Sequence, residues 1–221
     1  MKRRVLLPVM LVVCAALFAV PAKSDTLWDQ SAIDETIGGF FNSISGNPPF
    51  GLTYYVVNDV TVPASGWMVQ SIKVRFSGVS ATWGGGISQG RLVVYPKVGS
   101  LPLNTENPGT LSMVPMSGAF ITGGVNNYWD VTASGLNLAL LPGDYWIGIT
   151  PAAPAGFFGP ETQRAAAVHV GDDAATWNAH ASPLAWATNA GKDGNILIIG
   201  TPGLPTPTAP STWGAIKKLY R

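Results

Sequence analysis

Ser88 sits in the pentapeptide GISQG (residues 86–90), which has the G-x-S-x-G spacing of a hydrolase nucleophile elbow. That chemistry needs a strand before the serine and a helix after it, so that a strained turn presents the hydroxyl beside backbone N–H groups able to hold an oxyanion. Here WGG precedes the serine and the apolar run RLVVY follows it, so SATWGGGISQGR reads as a glycine-rich loop between strands. A triad would also need an imidazole. His169 lies in AAAVHVG, an apolar segment expected to be a strand carrying a structural histidine, and His180 lies in the loop-like NAHASP. Neither position suits a general base.

Metal chemistry finds little more, because the chain has neither an HExxH helix nor the acidic spacing of an EF-hand. Asp172 and Asp173 in GDDAA, with Asp193 in KDGN, could supply oxygens for a structural calcium if the loops at one end of a sandwich converge. The same residues are ordinary turn formers. No other cofactor is implied. Glycoside cleavage by paired carboxylates needs separations of about 5 to 9.5 Å, for which Glu161 in GPETQR and Asp144 are the first acids to inspect.

Aromatic residues carry the binding argument, since the chain has eight tryptophans and four of them, Trp83, Trp129, Trp177 and Trp186, fall in or near loops. An exposed indole face stacks on a sugar ring, whereas a loop tryptophan folded inward closes an apolar core. Trp177 and Trp186 are the better candidates for a glycan platform, because they lie in DDAATWNAHASPLAWATN, a weakly patterned polar loop long enough to be functional.

These residues must be positioned by short extended elements, because 26 glycines and 18 prolines leave intervals too short for long helices. In QSIKVRFSG, Ile72, Val74 and Phe76 share one face and Lys73 and Arg75 the other, the period of a half-buried strand. RLVVYPKV, YWDVTA, DYWIGIT, AAAVHVG and NILIIG read the same way, as do TLWDQ, GFFNSI and TYYVVNDVTV nearer the start. AIDETIGGFF could add one helical turn. Pro142 and Gly143 in LLPGDYW have the chemistry of a type II turn, and the strand after it sends Tyr145, Ile147 and Ile149 one way and Trp146 and Thr150 the other. Trp146 is expected to pack between sheets. Several short strands with turn signals between them predict one all-β domain, a sandwich or barrel, and we read it as an antiparallel β-sandwich.

The compartment is read from the start of the chain, where MKRR precedes the apolar run Val5–Val20 and the small residues VPAKS. This pattern is a secretory signal peptide, too short and too interrupted by Pro8 to span a bilayer, which takes roughly 20 apolar residues. Of the two small-residue cleavage positions, after Ala22 or after Ser24, the second bounds it at residues 1–24. Cleavage removes the only cysteine, Cys14, so neither disulfides nor thiolate metal sites support the mature chain, and no transmembrane segment remains. It also removes Lys2, Arg3, Arg4 and Lys23, leaving nine basic residues against twelve acidic. Three of the nine are Lys217, Lys218 and Arg221, so the body is anionic and lacks a nucleic-acid footprint. Residues 25–201 number 177, enough to bury about 70 % of the unfolded surface in one core.

NDVTVPASGWMVQSIKVRF (58–76) and LALLPGDYWIGIT (138–150) together resemble secreted bacterial jelly-roll-like β-sandwich modules, in which an acidic residue, a strand, a VPA turn with Gly-Trp and a second strand recur early and an L-x-P-G-x-Y-W strand comes late. GNILIIG suits their closing strand. The resemblance implies a jelly-roll-like fold, export and no assigned activity.

Beyond the body, Pro202, Pro205, Pro207 and Pro210 mark a semi-rigid linker over 202–210, reaching roughly 28 Å in polyproline II geometry. In the final stretch 211–221, Trp213, Ile216 and Tyr220 fall on one side of a helix and Lys217, Lys218 and Arg221 suit its C-terminal end. With Gly214 after the tryptophan, this ending resembles C-terminal sorting segments of exported bacterial proteins, and its implied partner is export or sorting machinery. The whole reading is a non-catalytic secreted or cell-surface β-sandwich module, structural, adhesive or ligand-binding, whose partner is an extracellular protein or glycan. The alternative is a carbohydrate-binding module or a secreted polysaccharide or ester hydrolase.

Overall fold

The computed structural model describes residues 24–36, 38–45, 52–78, 82–122, 126–157 and 161–204. The expected signal peptide (apart from Ser24), residues 205–210 of the linker and the sorting segment, from Trp213 and Gly214 through Ile216, Lys217, Lys218 and Tyr220 to Arg221, lie outside the described residues.

The described chain is all-β. In order along the chain come β1 (Asp25–Gln30), β2 (Phe40–Phe41), β3 (Tyr54–Val62), β4 (Trp67–Ser77), β5 (Gln89–Pro96), β6 (Met113–Ile121) and β7 (Tyr128–Ala133). They are followed by β8 (Leu138–Leu140), β9 (Gly143–Pro151), β10 (Thr162–Gln163), β11 (Ala175–Asn178), β12 (Trp186–Thr188) and β13 (Ile196–Pro202). Every pairing between these strands is antiparallel. They form one curled sheet in the order β1-β13-β4-β7-β6-β5-β9-β3-β11-β12, with β2, β8 and β10 attached off this path. The result is a half-barrel whose two limbs face each other as a jelly-roll-like sandwich.

The corner of the curl is β6, whose first residues pair with β5 and whose remainder, Met116–Ile121, pairs with β7. Pro115 stands at the handover, where a strand leaving one neighbour for another tolerates a missing N–H.

Alternation decides which side chains fill the space between the limbs. Ile72, Val74 and Phe76 of β4 point inward with Trp129, Val131 and Ala133 of β7, and meet Val60 and Val62 of β3, Ile147 and Ile149 of β9, and Ile196 and Ile198 of β13. The opposite face of β4 and β7 is the charged ladder of Lys73, Arg75 and Asp130. The period-two reading of QSIKVRFSG therefore holds residue by residue. One glycine is dictated by this packing: a Cβ on Gly84 would lie 2.1 Å from Cε3 of Trp129. Gly84 is therefore small because an indole lies on it, not because it cradles an anion.

Trp146 is fully buried, but not between the limbs. It packs on the outer face of the second limb with Tyr55, Val57, Val93, Ala175, Trp177 and Trp186. Segment 98–112 lies over this face: Leu101 and Leu111 pack on the cluster, and Glu106 O accepts the indole N–H of Trp186 at 3.1 Å. The molecule thus has a second apolar layer outside its sheet.

Several other expectations are corrected. AAAVHVG is not a strand: Ala165 and Ala166 make only isolated bridges, and Val168 and Val170 are exposed. The chain turns away at Gly171, at φ 75°, where the following N–H of Asp172 donates to Asp59 Oδ2 at 2.9 Å. AIDETIGGFF contributes no helical turn among its described residues. Segment 172–189 is no featureless loop, because it contains the hairpin β11–β12. Gly143 adopts positive φ, 146°, but more extended than a type II turn requires, and already pairs with Val62. At the other end of the body, β13 runs through Pro202, and Gly203 and Leu204 donate to Gly66 O and Ser65 O at 2.8 and 3.2 Å.

Candidate functional site

The polar residues of the body sort into three clusters, and the first is structural. Where β4 passes from β13 to β10 as its neighbour, the side chain of Asn195 fills the gap like an inserted peptide unit. Its Oδ1 accepts the N–H of Arg75 at 2.6 Å, while its Nδ2 donates to Arg75 O at 2.9 Å and Arg164 O at 2.6 Å. Gln163 donates to Asn195 O, Asn42 donates to Gln163 and to Ile149 O, and Thr150 donates to Asn42. Asn42, Thr150, Gln163 and Asn195 are all buried. Each finds partners, as buried polar groups must.

The second cluster gathers the sequence-predicted aspartates, Asp172 on Lys97 and both Asp173 and Asp193 beside His169. Lys97 Nζ lies 2.9 Å from Asp59 and 2.8 Å from Asp172, above the Trp146 ring at 5.2 Å. Burial works against the Lys97 ammonium, but hydrogen bonds to Asp172 and Asp59 outweigh it and raise its affinity for the proton. Asp173 instead lies 3.0 Å from Nε2 of His169 and accepts the N–H of Gly191. Asp193 accepts from Gln30 and from the N–H of Val170. Burial raises its carboxyl above the ordinary range despite those bonds. Among the described residues, no group of three or more His, Cys, Asp or Glu side chains is placed to hold one metal ion. Asp172, Asp173 and Asp193 thus act as loop fasteners.

The third cluster opens to solvent as a pocket of about 260 Å³ lined by Glu35, Ser77, Gly78, Asn126, Asn127, Tyr128 and Arg164. The paired ends of β4 and β7 form its floor, where Ser77 faces Tyr128, and the loop after β1 brings Glu35 across. Glu35 is the hub. The Tyr128 hydroxyl donates to its Oε1, Asn126 Nδ2 donates to its Oε2 at 3.0 Å, and Arg164 Nη2 stands 3.5 Å away. The hydroxyl of Tyr128, then Asn126 and Arg164, hold the Glu35 carboxyl below its usual range, so it is ionised at neutral pH. Burial raises the Tyr128 hydroxyl, and Glu35 adds to the effect. Beneath, Arg75 lies 5.5 Å from the Tyr128 ring centroid and grips Asp130 through Nε and Nη2 at 2.6 and 2.9 Å, with Lys73 at 3.1 Å. Burial alone would raise the Asp130 carboxyl, but the bonds from Arg75 and Lys73 hold it below the ordinary range.

Protein-family models, curated proteins and solved structures give no match to this chain. Its site must be read from its own residues.

The four candidate tryptophans do not form a surface. Trp83, Trp129, Trp177 and Trp186 are at most 4 % exposed. Trp83 packs against Phe76 and Trp129 against Phe120 in the main core, while the rings of Trp177 and Trp186 lie 5.5 Å apart in the outer layer. The inward-folded reading describes them, and the stacking platform has no exposed ring in this conformation. Ser88 is exposed between a 3₁₀ turn, Gly84–Gly86, and β5, whereas the imidazole of His169 lies with Asp173 and Asp193. Asp144 accepts the hydroxyl of Thr61, and Glu161, raised by burial, has its own backbone tied to Asn42 and Ser43. The pocket residues escaped sequence reasoning because they come from four distant segments. The usable signal was YWDVTA, whose alternation places Tyr128 and Asp130 on one face, the face they share with Arg75 of β4.

Proposed function

We propose that this protein is a non-catalytic, exported β-sandwich module that works at the cell surface by binding, with an extracellular protein or glycan as its partner. The observation that carries this reading is the use made of reactive side chains. Lys73, Arg75, Lys97 and Arg164 are bound to Asp130, Asp59, Asp172 and Glu35, and Arg91 donates to Leu111 O and the Tyr55 hydroxyl. Groups so engaged brace loops and sheet edges. A nucleophile, its base and an oxyanion donor need instead to converge on one substrate atom. Export rests on the N-terminal pattern of residues 1–24, and surface delivery on the resemblance of 211–221 to sorting segments.

Two measurements test this. The purified protein should show no turnover of aryl esters or of common polysaccharides, and turnover abolished by Ser88→Ala or Glu161→Gln would make it a hydrolase. Deleting residues 205–221, beyond the last ladder bonds of Gly203 and Leu204, should redistribute the protein between surface and medium and leave its melting midpoint in place. An unchanged distribution would remove the sorting role.

A further inference from the structure

The pocket at Glu35 combines a fixed carboxylate, a guanidinium, two amides and a hydroxyl around a space of about 260 Å³. We propose that it binds a single neutral, hydroxyl-rich ring, such as the terminal residue of an uncharged glycan, with Glu35, Asn126 and Arg164 bonding its hydroxyls. This deepens the glycan branch of the proposed function. The non-catalytic reading stands or falls separately, on turnover.

The ligand class follows by elimination. An anion would meet the ionised Glu35, toward which Tyr128, Asn126 and Arg164 each already direct one donor. A cation would meet Arg164 itself, with Arg75 beneath Tyr128. An apolar ligand would strip water from Glu35, Ser77, Asn126, Asn127 and Arg164 without replacing its hydrogen bonds, a cost that buried polar groups do not tolerate. A hydroxyl group both donates and accepts, so neighbouring hydroxyls can donate to free lone pairs of Glu35 and accept from amide and guanidinium N–H groups. A carboxylate offers about four acceptor positions, and Tyr128, Asn126 and Arg164 leave at least one open.

Preorganisation and size narrow the class further. Three partners hold Glu35 in place, so little ordering remains to be done on binding. The space falls below the roughly 300–1,000 Å³ of drug-sized sites, which suits one ring. Tyr128 is 7 % exposed and offers no face for stacking, so the site takes an end residue and not the length of a chain.

The test is isothermal titration and saturation-transfer NMR on the full chain with glucose, galactose, mannose and fucose, beside glucuronate and glucosamine. At least one neutral sugar should bind saturably, with a Kd of about 1 mM. Both charged sugars should bind more weakly, and Glu35→Gln should weaken the neutral one by about tenfold or more. Should Glu35→Gln fail to fold, Asn127→Ala serves instead, because that side chain has no hydrogen-bond partner in the described body, and it should weaken binding several-fold. The proposal is overturned by absence of saturable neutral-sugar binding up to about 50 mM, by tightest binding of glucuronate or glucosamine, or by affinity that survives the substitutions.

Discussion

Replacing Asn195 by alanine tests whether one side chain completes the first limb of the sandwich. The change removes three hydrogen bonds and leaves the N–H of Arg75 inside the ladder without its acceptor. Arg75 O retains the N–H of Arg164, and Arg164 O retains the N–H of Asn195, so neither carbonyl is stranded. A stranded buried donor costs about 1–3 kcal/mol and each of the two other lost bonds about 0.5 kcal/mol net, so a loss of about 2–4 kcal/mol is expected. With a urea dependence near 2 kcal/mol per molar, the unfolding midpoint should fall by about 1–2 M. Asn195→Asp sharpens the test, since it keeps the acceptor for Arg75 N–H but points an oxygen at two carbonyls. It should be at least as destabilising at neutral pH and recover partly in acid, where a protonated carboxyl can donate again. A midpoint for Asn195→Ala within about 0.2 M of wild type, a change of under about 0.5 kcal/mol, would show that the ladder does not depend on this amide.

Two further perturbations address the cluster beneath the pocket and the buried tryptophans. Asp130→Asn should cost about 1–3 kcal/mol, between the values for exposed and buried ion pairs, when measured by urea unfolding at pH 7. Because the native Asp130 carboxyl lies below its unfolded value of 3.8, its contribution is complete above that value and is lost as pH falls through the native one. The gap between variant and wild type should therefore close in acid, and a gap independent of pH would refute the ion pair. Trp177→Ala should remove about 3–5 kcal/mol from a side chain that is 1 % exposed. A loss of under about 1 kcal/mol together with lost glycan binding would restore the stacking platform.

Strands that alternate were legible in the sequence, because inward Ile72, Val74 and Phe76 and outward Lys73 and Arg75 obey one local rule. What escaped is mostly long-range. Pro115 hides β6, since a proline inside a strand is acceptable only where partners change, and the partners cannot be seen locally. Trp146 was expected to be buried, but its layer depends on segment 98–112 covering the outer face. The valines of AAAVHVG share a strand's alternation, and the turn at Gly171 with its bond to Asp59 overrides it. The pocket was least legible of all, because Glu35 meets Asn126, Tyr128 and Arg164 only once the loop after β1 crosses the ends of β4 and β7.

Asp25, the first residue of β1, pairs with Gly200 near the end of β13, so the chain enters and leaves the body side by side. Tension arriving through the residues after Leu204 would reach β13, which is gripped on both flanks by β1 and β4. Drawn along its own axis, that strand loads both ladders in shear, with many bonds resisting together. A body fastened by this end would hang as a pendant lobe and yield late under drag.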